Sequence, residues 1–155
     1  MYIPPEEADP VLKHEPTHRK VGYFGAVRLR DGKFVYTRED GKFNGETLLN
    51  FLKKLSKASC QSGRKVLVFT DNARYHHAKL HKTYCENCSN RFSLDFLPPY
   101  SPDLNPIERV WKLTRRCCTQ NVYFPALNSI ADAVETKFEE WTAGSDILRK
   151  LCAIN

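Results

Sequence analysis

The chain has 155 residues, 41% of them apolar and 27% charged, with a formal net charge of +6 and a pI near 9.0. That length supports one core of ordinary size, and the charge favours polyanionic partners without requiring one. No apolar run approaches the roughly 20 residues of a membrane span. The start, Met1-Tyr2-Ile3-Pro4-Pro5-Glu6-Glu7, lacks the basic-then-apolar order of a secretory signal, so a cytoplasmic protein is expected.

Residues 1–20 are rich in Pro, Glu and Lys and show no period, which predicts an irregular lead-in. Val21 to Leu29 and Lys33 to Thr37 are β-branched and aromatic, and Asp31-Gly32 between them predicts a hairpin. Leu48, Leu49, Leu52 and Leu55 fall at helical spacing, with Lys53, Lys54 and Lys57 turned outward, so a helix is expected over about 45–59. The apolar run 66–69 does not alternate, as in a strand covered on both faces. A helix over about 73–88, a strand over 91–97 and a helix over 105–118 come next. Leu127, Ile130, Ala131, Val134, Phe138 and Trp141 then predict a helix over about 126–142. The order is α/β with a mixed sheet flanked by helices. It makes 21–142 one domain and 143–155 a C-terminal tail.

Six cysteines without an export signal point to free thiols rather than a disulfide framework. Cys85-Glu86-Asn87-Cys88 is a lone CxxC, and a zinc site there would need ligands from His76, His77 or His81.

Two acids stand where chemistry is usually placed. Asp71 directly succeeds the apolar run Val66-Leu67-Val68-Phe69-Thr70, at the carboxyl end of a strand, where open α/β sheets gather functional groups. Glu108, with 36 residues between the two, lies in the first turn of the helix opened by Asn105 and Pro106. Two converging carboxylates suit Mg²⁺ or Mn²⁺, hard cations that take oxygen ligands. A metal pair about 3.5–4 Å apart supports in-line displacement at phosphorus. Each acid also has a structural reading. Asp71-Asn72 before a helix resembles an N-cap. Glu108 stands where a capping-box carboxylate reaches back to its cap, and it is also one turn from Lys112. Asp103 is expected to organise the turn before the helix.

The helix carrying Glu108 is amphipathic. At 100° per residue, Ile107, Val110, Trp111, Leu113, Thr114, Cys117 and Cys118 fill one arc; Arg109, Lys112, Arg115 and Arg116 fill the other. The basic arc suits a phosphate backbone, or is a solvated face.

Asp71-Asn72-Ala73-Arg74-Tyr75-His76-His77-Ala78, with Leu97-Pro98-Pro99-Tyr100-Ser101-Pro102-Asp103-Leu104-Asn105-Pro106-Ile107-Glu108-Arg109-Val110-Trp111-Lys112 downstream, resembles the catalytic core of DDE transposases of the mariner superfamily, in its bacterial insertion-sequence branch. The resemblance covers roughly residues 18–142. It implies an RNase H-like fold in which three acids bind two Mg²⁺ ions, cut DNA by hydrolysis and join the 3′-hydroxyl to a target strand. Asp71 matches the second acid and Glu108 the third. Asn72 and His76 match the motif around the second acid, where His76 would orient a ligand or touch DNA. Arg74, His76, Arg109, Lys112, Arg115 and Arg116 become candidates for DNA contact; Asn72, Asn105, Pro106 and Trp111 for structural support.

The chain departs from the family pattern at its beginning. The first acid belongs on a strand ahead of Val21, and residues 1–20 hold no apolar run able to form one; Glu6, Glu7, Asp9 and Glu15 lie among prolines and charges. No helix-turn-helix region precedes it either. The expectation is a catalytic domain incomplete at its N-terminus, inactive alone, partnered by DNA, by further copies of itself or by an upstream transposase polypeptide. The alternative is a non-catalytic DNA-binding or regulatory module.

Overall fold

The computed structural model describes residues 21–59, 63–71, 79–88 and 90–154. The lead-in, residues 1–20, lies outside them. The chain divides into two compact units: one takes the described residues up to Asp40 and from Pro106 on, the other those within Gly41–Asn105.

In the first unit, β1 (Gly22–Val27) and β2 (Phe34–Glu39) pair antiparallel, with Val27 opposite Phe34. The predicted hairpin turn is wider than two residues. Arg28 N–H donates to the Lys33 carbonyl and Gly32 N–H to the Arg28 carbonyl, each at 2.8 Å, and Gly32 takes φ +70°, a conformation that glycine adopts without steric cost. Against the hairpin pack α3 (Ile107–Thr114) and α4 (Leu127–Trp141). The core is aromatic: Tyr23, Phe34, Trp111 and Phe138 are all wholly buried. Edge-to-face contacts, which favour the rings' opposed quadrupoles, join Phe34 to Trp111 at 5.9 Å and Tyr23 to Phe138 at 5.2 Å. Two phenols at its rim are paired with acids of α4. The Tyr23 hydroxyl donates to Glu135 at 3.1 Å and that of Tyr36 to Glu139, and burial is the main reason both phenols titrate well above their usual range.

A further helix, α5 (Asp146–Leu151), lies within the segment 143–155 that carried no expected element. Ser145 caps it by accepting from Leu148 N–H at 3.2 Å, and Leu148 and Cys152 are buried in the core of this unit. Its contact with the hairpin is close, since Ser145 N–H donates to the Asp31 carbonyl at 3.0 Å.

In the second unit α1 (Gly45–Ser59) is succeeded by β3 (Val66–Thr70), α2 (Lys79–Asn87) and β4 (Phe92–Phe96). Asn44 and Thr47 exchange hydrogen bonds at the start of α1, each 3.0 Å from backbone N–H to side-chain oxygen, a reciprocal cap. Leu48, Phe51, Leu52 and Leu55 form its buried face. β3 and β4 pair parallel, Val66 opposite Phe92 through Thr70 opposite Phe96. Both kinds of pairing expected of a mixed sheet are thus present, the antiparallel one in the first unit and the parallel one in the second.

One expectation for β3 is corrected. It is not covered on both faces: Leu67 and Phe69 are each 53% exposed, while Val66, Val68 and Thr70 between them are half-buried. Successive side chains of a strand point to opposite faces, and the face of Leu67 and Phe69 has no covering layer among the described residues.

Candidate active site

Asp71 leaves the carboxyl end of β3 and is half-buried. The parallel ladder runs on past the strands, with Leu97 N–H donating to the Thr70 carbonyl at 2.8 Å. The motif segment immediately after Asp71, with Asn72, Arg74 and His76, lies outside the described residues, and so does the N-cap reading of Asp71. The helix expected over 73–88 is described from Lys79.

Glu108 sits in the first turn of α3, half-buried. Asn105 is buried, with an extended backbone of φ −95° and ψ 106°; Pro106 already has helical angles of −58° and −25°, the φ its ring imposes anyway. Neither structural reading of Glu108 is realised. The Asn105 N–H donates to the Pro102 carbonyl at 3.0 Å instead of to Glu108, so there is no capping box. Among the described residues Glu108 makes no ion pair with Lys112. What remains is a carboxylate in a helix's first turn, where the macrodipole favours negative charge, with no hydrogen-bonding partner among the described residues.

The loop joining β4 to α3 is held differently from expectation. Leu104 N–H donates to the Ser101 carbonyl at 3.1 Å, and the Ser101 hydroxyl to the Pro99 carbonyl at 3.2 Å. Asp103 is exposed and makes no hydrogen bond among the described residues. The turn is organised by backbone bonds and Ser101, a residue the motif contains but periodicity does not single out.

The two arcs of α3 separate as expected at the helix's centre. Val110, Trp111 and Thr114 are buried; Arg109, Lys112, Arg115 and Arg116 are exposed. Beyond Thr114 the regular spacing fails. Arg115–Thr119 form a π-helical turn, closed by Gln120 N–H on the Arg115 carbonyl at 2.8 Å. The wider turn shifts the angular positions of its residues, so Cys117, expected on the apolar arc, is exposed. Arg109 has a structural task as well, since its guanidinium donates to the Leu151 and Ala153 carbonyls at 3.1 and 3.3 Å, at the C-terminal end of α5. Lys112 and Arg116 have no ion pair among the described residues.

Asp71 belongs to the second compact unit and Glu108 to the first. Their donor chemistry fits a hard divalent cation, being carboxylate oxygen alone. No group of three His, Cys, Asp or Glu side chains able to hold a metal occurs among the described residues. Cys85 and Cys88 are free and half-buried, and burial, then the neighbouring Cys88, push the Cys85 thiol up. No described helix is long and apolar enough to cross a membrane.

The α/β frame thus carries one acid at a strand's end in the second unit and one in a helix's first turn in the first. Residues 2–131 match the DDE superfamily endonuclease family, and the chain belongs to it. Among solved structures it is similar to the Mos1 mariner paired end complex with Mn, at 19% identity and a TM-score of 0.63, covering 95% of this chain and 45% of that one. The Mos1 strand transfer complex gives 19% identity and a TM-score of 0.62, covering 95% of this chain and 44% of that one. The catalytic domain of Mos1 mariner transposase gives 20% and 0.60, covering 86% of this chain and 68% of that one. These likenesses show the fold, which is RNase H-like. The chain spans less than half the length of the Mos1 chains in the two complexes. No curated protein matches it.

Proposed function

We propose that this chain is part of a transposase catalytic domain and supplies Asp71 and Glu108 to a Mg²⁺ or Mn²⁺ site acting on DNA. The observation that carries the reading is Glu108: a carboxylate at the motif's third-acid position that neither caps its helix nor pairs with Lys112. When bound, the metal would supply charge neutralisation at the scissile phosphate and an acidified water as nucleophile. The protein's own part is to place oxygen ligands and to grip the strand. Asp71 and Glu108 offer those oxygens, while Lys112, exposed on α3, and Arg116, exposed on the π-helical turn after it, meet backbone phosphates as charged donors. Arg109, Arg115, Arg74 and His76 are further candidates for that contact by their motif positions.

The motifs account for two of the family's three acids, and on this reading the third is supplied by further transposase sequence, in cis or in trans. On this reading the purified chain binds DNA but does not cut it alone. Two measurements test it together. Salt titration of duplex binding should give a negative slope that loses about 0.9 for each phosphate contact removed, in Lys112→Ala and Arg116→Ala. Mg²⁺-dependent nicking by the isolated chain, abolished in Asp71→Asn, would show that two acids suffice and refute the incomplete site. The exposed basic face also supports a second reading, a non-catalytic regulator that binds DNA; it predicts that Asp71→Asn and Glu108→Gln leave every activity unchanged, including those restored by added upstream polypeptide.

A further inference from the structure

Tyr100 is wholly exposed, at 103% of its reference surface, although it is a large aromatic residue in the loop between β4 and α3. Its backbone is left-handed, with φ 55°, a conformation rare for any bulky side chain and natural to Gly or Asn. The loop therefore keeps a ring at a position where folding favours a small residue, and backbone outliers of this kind concentrate at functional sites. No contact within the described residues occupies the ring: among them Tyr100 makes no hydrogen bond or ring contact.

The backbone that carries the ring is restricted. Pro98, Pro99 and Pro102 restrict the backbone on both sides, and the Ser101 hydroxyl bonds to the Pro99 carbonyl at 3.2 Å. Its location is defined within the second unit. β3 and β4 are parallel, so both end at the same side of their sheet, and Leu97 N–H still holds the Thr70 carbonyl at 2.8 Å. Asp71 leaves that end from one strand and the Tyr100 loop from the other. Three residues of chain span at most about 10 Å, so Tyr100 stands within that reach of the ladder's end beside Asp71.

We propose that Tyr100 is a stacking platform for an unpaired nucleobase of the DNA strand on which this site acts, an inference that rests on the DNA-processing function proposed for the chain. The surroundings favour a base over a phosphate. Asp103 is exposed three residues on and repels anions, whereas the neighbouring Leu104, 57% exposed, extends an apolar surface. Every base has a flat π-face, so the contact would tolerate sequence and favour frayed or single-stranded ends.

The test compares a blunt mixed-sequence duplex with the same duplex carrying a short oligothymidine 3′ overhang, using the full chain. Wild type should bind the overhang duplex more tightly. Tyr100→Ala should lose that preference, on the order of tenfold as expected for one stacked base, with blunt-duplex affinity and its salt slope unchanged. Tyr100→Phe should retain it. Tyr100→Ala equal to wild type on the overhang, or Tyr100→Phe as weak as Tyr100→Ala, overturns stacking. A change of oligomeric state in Tyr100→Ala with overhang binding intact assigns the ring to a protein contact and overturns it too. Blunt-duplex binding that depends on Lys112 and Arg116 but shows no overhang preference refutes this inference alone, while a wild-type chain that binds neither duplex refutes the DNA reading as well.

Discussion

Replacing Gly25 with alanine places one methyl group where the core has no room. A Cβ built there would lie 2.2 Å from Trp111 Cη2, 2.9 Å from Phe34 Cζ and 3.0 Å from Trp111 Cζ2. Carbon atoms attract best at about 3.5–4.0 Å, so the closest contact overlaps by more than about 1 Å on that scale. Neither ring has a free direction of retreat. Trp111 and Phe34 are wholly buried and meet edge to face, and both also pack on Phe138, at 6.2 and 4.9 Å. Overpacking of this kind costs about 1–3 kcal/mol. Removing a glycine from the unfolded chain returns about 0.4–1 kcal/mol, so the clash wins and, taking the middle of each range, a net loss of roughly 1.3 kcal/mol is expected. Chemical denaturation of wild type, Gly25→Ala, Trp111→Phe and the double variant measures it. The smaller ring relieves the overlap, so the double variant should be more stable than the sum of the single losses predicts, by about 0.5 kcal/mol or more. Strict additivity, or a Gly25→Ala protein as stable as wild type, would refute the packing argument.

Two further predictions concern the hairpin turn. In Gly32→Ala the new Cβ meets the Ser145 carbonyl oxygen at 2.0 Å and Arg149 N at 2.7 Å, on a backbone with φ +70°; the left-handed conformation alone costs roughly 1–2 kcal/mol. Because these neighbours are backbone atoms of α5 and its cap, the helix should loosen, and the buried Cys152 thiol should react faster with a thiol reagent than in wild type; unchanged labelling refutes the coupling of turn to helix. Asp31 accepts from Arg28 Nε at 2.8 Å and from Lys33 N–H at 3.1 Å, and chiefly the Arg28 bond lowers its carboxyl from 3.8 to about 2. A depressed carboxylate stabilises the fold above its unfolded value and loses that contribution as pH falls, here between about 4 and 2. The side chain is 38% exposed, so solvent screening limits the effect to about 1 kcal/mol or less. Asp31→Asn should flatten the stability profile in that window, and a variant with the wild-type slope would show that Asp31 does not set it.

What periodicity encodes was legible in the sequence, and what one local contact decides was not. Leu48, Leu52 and Leu55 announce the buried face of α1 because a helix returns to the same side every three to four residues. The Asn44 and Thr47 exchange that starts it leaves no such trace. α5 is silent in the sequence because six residues are too few for a period, and its only marks are a capping serine and two buried side chains, Leu148 and Cys152. The run Val66-Leu67-Val68-Phe69 is apolar at every position, so it named a strand without saying which face is covered. The π-helical turn at Arg115–Thr119 is a choice of hydrogen-bond partner, which side-chain pattern does not carry. At the candidate site, the motif singled out two acids for proposal, but only the backbone shows that Asn105 N–H is already engaged by Pro102 and that Glu108 is therefore no cap.

The same helix explains why the motif couples a tryptophan to an acid three residues earlier. α3 has eight residues, too short to be stable by itself in water, and is therefore fixed by what its buried face meets. Trp111 is the largest group on that face, and it docks where β1 leaves a glycine and β2 presents Phe34. Val110 and Thr114 complete the contact, with the Thr114 hydroxyl returned to the Val110 carbonyl at 2.8 Å, which satisfies that hydroxyl inside the core. Glu108 and Lys112 are borne on the remaining surface and hold their places only as well as Trp111 does. A ring assigned no contact with DNA or metal thus sets the precision of the groups proposed to make one. Packing defects at Gly25 should reach the acid before they unfold the chain.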